Sequence, residues 1–234
     1  MNGKVFLIPT PLGENDPKQV IPVDLQSLFQ SIKYYMVENT RTARRFIKLI
    51  DNSIVIDDLT FIEINKRTSH TDLLNFMKHA EEGHDIGLMS EAGCPGVADP
   101  GAEAVKVAHQ KGIEVKPLVG PSSILLALMA SGMNGQNFTF NGYIPIKQPS
   151  RNKAILYMEQ QAIKYEQTQI LIETPYRNNS LISELLGSLA NTTRLCIACD
   201  ITLDTEFIKT RTVREWKSEI PDLHKRPAIF LIGR

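Results

Sequence analysis

The sequence predicts an α/β protein of two domains: an N-terminal one on a mostly parallel sheet with flanking helices, and a C-terminal one with a mixed sheet and helices. Three observations predict it. Short apolar runs alternate with amphipathic stretches of about ten residues through the first half, which is the pattern of right-handed β-α-β crossovers. Proline and glycine concentrate at Pro117, Gly120 and Pro121, where the pattern changes. The last strands then follow one another with short connections, which favours antiparallel pairing. The expected division is therefore 1–118 and 119–234.

Taken in order, Val5–Ile8 reads as a buried strand stopped by Pro9-Thr10-Pro11-Leu12-Gly13. Tyr34–Val37 is a second strand. Thr40–Leu49 follows as a helix, with Ala43, Phe46, Ile47 and Ile50 spaced to face a core. Phe61–Ile64 is a third strand. Thr71–Glu82 places Leu73, Leu74, Met77 and Ala80 at helical spacing and ends at Gly83, as a helix stop does. Asp85–Met89 is a fourth strand, followed by the loop Ser90–Gly101, a helix over Ala102–Gln110 and a fifth strand reached through Gly112–Lys116. In the second half, Ser122–Ala130, Ser150–Tyr165 and Asn178–Leu189 read as helices, with Ser122 a plausible N-cap. Phe138–Tyr143, Gln169–Ile172, Leu195–Ile201, Glu206–Thr210 and Ala228–Ile232 read as strands.

Composition bounds the function. The chain has 234 residues, 42% apolar and 22% charged, within the ordinary globular range. Lys plus Arg equals Asp plus Glu at 26 each, so no overall basic field gathers nucleic acid, and any RNA contact must come from a local patch. Three cysteines make no disulfide framework. No run approaches the roughly 20 apolar residues of a membrane span, and the opening stretch is too short for a signal peptide. A soluble protein of a reducing compartment, the cytoplasm, without membrane contact, is expected.

In parallel sheets ligands collect at the carboxyl ends of the strands, which directs attention to the loops after Ile8, Met89 and Leu118. Ser90–Gly101 holds three glycines and two prolines, more than a simple connection needs. Gly93 and Gly96 let backbone groups approach a ligand closely; the plainer reading is a rigid strand-to-helix turn. The loop is neither a phosphate loop nor a Gly-x-Gly-x-x-Gly fingerprint. Gly120-Pro121-Ser122-Ser123 puts hydroxyls and open N–H groups at a helix start, suited to a hydrogen-bonding ligand or to simple capping.

Cys196 and Cys199 have the spacing of a metal or redox pair, but residues three apart on a strand point to opposite faces. They read as core cysteines, and no metal is expected. Arg41, Arg44, Arg45 and Lys48 put four cations on one short helix. Lys147, Arg151 and Lys153 form a second cluster, and together they would suit phosphate oxygens; a solvated face is the alternative. Glu173-Thr174-Pro175-Tyr176-Arg177 closes a strand with an acid and a planar cation, either a site or a helix start.

In order along the chain, Ile8–Gly13, Glu38-Asn39-Thr40-Arg41, Ser90–Pro95 continuing to Asp99-Pro100-Gly101, Gly120–Ser123 and Glu173–Arg177 resemble the motifs of the tetrapyrrole methylase superfamily. Within it they are most similar to the small-subunit ribosomal RNA (cytidine-2'-O)-methyltransferase branch. The resemblance implies a homodimeric two-domain enzyme holding S-adenosylmethionine in a cleft between its domains and methylating a ribose 2'-hydroxyl of ribosomal RNA. It carries cofactor contacts onto Pro11, Ala92, Gly93, Cys94, Val97, Ser122, Ser123, Glu173, Thr212 and Ala228. Glu38, Arg41 and Glu173 become candidate catalytic residues, with Glu91 a further acid in the matched motifs. Arg41, Arg44, Arg177 and Lys147 become candidate contacts to the RNA or small ribosomal subunit. Two departures stand out: Asn39 replaces an Asp, and Cys199-Asp200-Ile201-Thr202-Leu203 replaces Arg-Glu-Leu-Thr-Lys, losing both cations. The alternatives are C-methylation of a tetrapyrrole ring and a non-catalytic cofactor-binding protein of the ribosome.

Overall fold

A computed structural model describes residues 2–234. The chain forms two compact units, the first ending at Ser122 and the second running Ser123–Arg234.

In the first unit, β1 (Lys4–Ile8), β2 (Tyr34–Val37), β3 (Thr60–Glu63), β4 (Ile86–Met89) and β5 (Glu114–Pro117) form one sheet in the order β3-β2-β4-β1-β5. Every neighbouring pair is parallel. The connections are α1 (Pro17–Val20) and α2 (Leu25–Ser31), then α3 (Thr40–Ile50), α4 (His70–Glu81) and α5 (Gly101–Gln110). Residues alternate between faces along each strand, and two separate cores follow. Ile8, Tyr35, Val37 and Met89 pack with Leu25 and Phe29 of α2 and Ala43, Phe46 and Ile47 of α3. Val5, Met36, Ile86 and Leu88 pack with Leu73, Phe76 and Met77 of α4 and Ala104, Val107 and Ala108 of α5. The sheet is therefore doubly wound. β1 and β4 are adjacent, yet the chain leaves β1 towards one face and β4 towards the other. That is a topological switch point, where such sheets open a crevice.

Four helices of this unit start on a side-chain cap. Asn39 Oδ1 accepts from the N–H groups of Arg41 (2.9 Å) and Thr42 (3.2 Å), so Asn39 supplies the cap that an Asp would supply. Ser69 and Asp72 form a reciprocal capping box on α4, and Gly83 follows it at φ +95°. The sequence reading had no α1 or α2. Asp16 caps α1 ahead of Pro17, and Asp24 caps α2.

The second unit carries α6 (Ser123–Ser131), β6 (Phe138–Tyr143), α7 (Ser150–Tyr165), β7 (Thr168–Ile172), α8 (Asn178–Ser188), β8 (Arg194–Cys199), β9 (Phe207–Thr212), α9 (Val213–Trp216) and β10 (Ala228–Gly233). Its sheet runs β6-β7-β10-β8-β9. β6 and β7 are parallel and the remaining pairs antiparallel, so the sheet is mixed, as expected. One expected strand end moves: β8 ends at Cys199, not Ile201, because Asp200 takes φ +50° and Thr202 φ +73°. Asp200 is then anchored by Arg226 at 2.8 Å. One face packs α7 and α8 around Phe230, Ile197 and Trp216, and the indole N–H of Trp216 donates to the Leu195 carbonyl at 2.8 Å. α6 lies against β10 and β9. Cys199 belongs to the α7–α8 core while Cys196, also fully buried, lies outside it, so the two thiols point apart. Among the described residues, no group of His, Cys, Asp and Glu is arranged to hold a metal ion, and no helix is long and apolar enough to cross a membrane.

Candidate functional site

Because the first sheet is parallel, the loops after β1, β2, β4 and β5 all emerge at one rim. Three of them are interlocked. Thr10 and Gly93 exchange backbone hydrogen bonds, each 3.0 Å, so the loop after β1 is stapled to the loop after β4 across the switch point. The Thr10 hydroxyl adds a bond to the Ser90 carbonyl at 3.3 Å. The Cys94 thiol donates to the Pro121 carbonyl at 3.3 Å, tying in the loop after β5. A Cβ on Gly120 would stand 2.1 Å from that of Pro9, so only glycine lets these two loops touch. Gly93 takes φ +78°, a conformation that side chains other than glycine rarely adopt.

Asp99 stiffens the long loop from within. Its carboxylate accepts from the N–H of Gly96 (2.9 Å) and of Gly101 (2.7 Å) at the start of α5. Burial nonetheless pushes the Asp99 carboxyl upward, against those bonds. Glu38, at the end of β2, accepts from the Glu91 N–H at 3.0 Å. Burial raises the Glu38 carboxyl above its ordinary range, and the negative charges of Asp99 and Glu91 add to this, outweighing the bond from Glu91. Burial also pushes the Cys94 thiol up, keeping it a neutral donor rather than a thiolate. The outer side of the loop is bare: Ala92 and Val97 are exposed, Val97 by half. Small side chains and glycine turns let the backbone of a rigid loop approach a ligand closely.

No protein-family model matches the chain. Curated relatives do. Over 231 residues it is 26% identical to the ribosomal RNA small subunit methyltransferase I of Vibrio cholerae, covering 97% of this chain and 76% of that protein. The Synechocystis protein of the same name is 28% identical over 200 residues, covering 86% and 67%. That of Bacillus subtilis is 30% identical over 188 residues, covering 79% and 60%. Among solved structures, the methyltransferase CobJ aligns with a TM-score of 0.64 at 16% identity, over 99% of this chain and 94% of that one. A uroporphyrin-III C-methyltransferase from Thermus thermophilus, crystallised with S-adenosyl homocysteine, aligns with a TM-score of 0.55 at 16% identity, over 99% and 98%. The chain has the fold of these solved methyltransferases and is similar in sequence, along most of its length, to the proteins named ribosomal RNA small subunit methyltransferase I.

Of the residues that the motif resemblance singles out, Pro11, Ala92, Gly93, Cys94 and Val97 gather on the three interlocked loops, with Ser122 following them at the end of the first unit. Arg41 and Arg44 project from α3, where the Arg44 guanidinium lies over the Phe61 ring at 5.2 Å. The second unit distributes its share differently. Glu173 follows β7 directly and sits near Ala228, since Ile172 pairs with Ile229. Thr212 lies opposite Arg194, at the far end of β8 from the Cys199–Ala228 pair, roughly 16 Å of strand rise away. Its hydroxyl caps α9 in a box with Glu215, so Thr212 is not brought together with Glu173 and Ala228.

Glu173 itself is buried and fully engaged. Burial by itself would raise its carboxyl, but donors from Arg177 (Nε at 3.0 Å), the Thr174 N–H (2.8 Å) and Arg151 (3.0 Å) together hold it below its ordinary range. Arg151 corrects the sequence reading. Expected in an exposed cationic cluster with Lys147 and Lys153, it is 3% exposed and ion-paired to Glu173 and Glu184. The signal in the sequence was indirect: a strand-ending Glu needs a buried cation, and nothing local says which.

Proposed function

We propose that the chain is an S-adenosylmethionine-dependent methyltransferase acting on a ribose 2'-hydroxyl of ribosomal RNA, working in the cytoplasm as a homodimer. The observation that carries the cofactor assignment is the interlocking of three loops at the switch point of the first sheet. We assign Pro11, Ala92, Gly93, Cys94, Val97 and Ser122, with the adjoining Ser123, to holding it. The relatives named as ribosomal RNA methyltransferases support the acceptor; this chain spans 60% to 76% of the three compared above. The solved neighbours, at 16% identity, bear on the fold alone. Exposed Met129 and Ile146 in the second unit support self-association.

When bound, S-adenosylmethionine supplies a methyl group on a positively charged sulfur. The rigid loops orient and exclude water, which is the larger share of the work when the donor is already activated. A ribose hydroxyl is a weak nucleophile until its proton leaves, so a base is needed. Glu38 is our choice. It stands on the rim with the loops, and its surroundings raise its proton affinity. Glu173, locked by two guanidinium groups, is assigned a positioning part instead. Arg41 is assigned to the RNA phosphates.

Isothermal calorimetry with S-adenosylmethionine and S-adenosyl homocysteine tests the cofactor assignment first. One site per chain is expected for both; no heat from either contradicts it.

A further inference from the structure

A groove of about 850 Å³ lies within the first unit, between the outer face of α3 and the Pro11–Pro17 loop, with Ser90 and Glu91 at its inner end. That volume is typical of a ligand site. Its floor is apolar: Leu12, Phe46 and Met89. One lip is cationic: Arg45 and Lys48, one helical turn apart. Among the described residues no ion pair joins Arg41, Arg44, Arg45 or Lys48 to an acid. α3 contains no carboxylate, and the acids near its ends accept from groups other than these cations. Asp51 accepts from Ser53 and Gln30, and Glu63 from the Thr40 N–H. Glu14 and Asp16 stand on the opposite lip. Thr10, which lines the inner end, is bonded to Gly93 on the loop assigned to the cofactor.

We propose that this groove seats the acceptor strand: a nucleobase on Leu12 and Phe46, flanking phosphates on Arg45 and Lys48, and the reacting ribose at the Ser90–Glu91 end. The inference rests on the RNA methyl-transfer reading above. Charge complementarity across the groove selects the occupant, since cations without an ion-pair partner on one lip and carboxylates on the other, with an apolar floor between them, suit a single strand that offers phosphates, base faces and amines. The carboxylates of Glu14 and Asp16 favour a base with an exocyclic amine at that lip.

The test uses the full chain saturated with S-adenosyl homocysteine and a fluorescein-labelled, cytosine-containing single-stranded RNA 12-mer, followed by anisotropy over a salt series. Arg45→Ala with Lys48→Ala is expected to weaken binding at least tenfold and to flatten the log–log salt slope by about 1.4, two phosphate contacts at about 0.7 each. Leu49→Glu, on the exposed lip, is expected to weaken it tenfold without removing a cation. Arg214→Ala in the second unit is expected to change nothing. Calorimetry with S-adenosyl homocysteine is expected to match wild type in all three variants, as is the far-UV circular dichroism. Variants that bind RNA like wild type overturn the groove assignment and leave the methyltransferase reading intact. The same holds if Arg214→Ala loses as much as the double variant. Variants that lose S-adenosyl homocysteine overturn it too, by making the groove part of the cofactor site. A wild-type chain that binds S-adenosyl homocysteine but no RNA removes the RNA reading and the groove with it.

Discussion

Glu38 and Glu173 both end strands, and their neighbours push them in opposite directions. Burial and two nearby acids raise Glu38, so its carboxylate is the better proton acceptor. Glu38→Gln keeps an oxygen for the Glu91 N–H but cannot take a proton. Turnover is expected to fall by about 10²–10³ while cofactor affinity in calorimetry is unchanged; unaltered turnover removes Glu38 from the mechanism. Because the carboxyl is raised, the acid limb of the wild-type rate profile is expected above the ordinary value of 4.5. For Glu173 the ionised form is the favoured one, since two guanidinium groups bond to it. Its stabilisation is complete above the ordinary 4.5 and is lost as pH falls through the lowered value. Glu173→Gln leaves Arg151 buried with only Glu184 as a counter-charge, and is expected to lower the unfolding free energy by about 3 kcal/mol at neutral pH. The deficit, measured by urea denaturation, should shrink in acid; a deficit constant with pH contradicts the ion-pair account.

At the scale of elements, the rim depends on loops that touch. Gly120→Ala drives a methyl group into Pro9, and is expected to cost about 1–3 kcal/mol of stability and at least tenfold in cofactor affinity. Gly135→Ala, where a Cβ meets nothing within 4 Å, is the control and should change neither. The strands β1, β2 and β4 and the helices α3, α4 and α5 were legible because each is an apolar run or a helical-period stripe. α2 was not, because a seven-residue helix burying only Leu25 and Phe29 shows no period; the cap Asp24 was its only local sign. The loops were legible as sites through glycine and proline density. Their interlocking was not, because Thr10 meets Gly93, and Cys94 meets Pro121, only after the sheet has brought distant segments together. The same applies to Arg151, whose partners Glu173 and Glu184 lie on β7's end and α8.

Over the whole molecule, Lys plus Arg balances Asp plus Glu, so long-range attraction to RNA is weak and, in the reading proposed above, recognition falls to local features such as α3. Each unit has its own core, and a fold shared with solved methyltransferases does not specify what receives a methyl group. The acceptor is therefore the central claim, and one measurement addresses it most directly. The chain is incubated with tritiated S-adenosylmethionine and small ribosomal subunits, the RNA is digested to nucleosides, and the label is located by chromatography and mass spectrometry. The account predicts label in a 2'-O-methylated nucleoside; label on a base, or none in RNA while a tetrapyrrole offered in parallel is methylated, would contradict it.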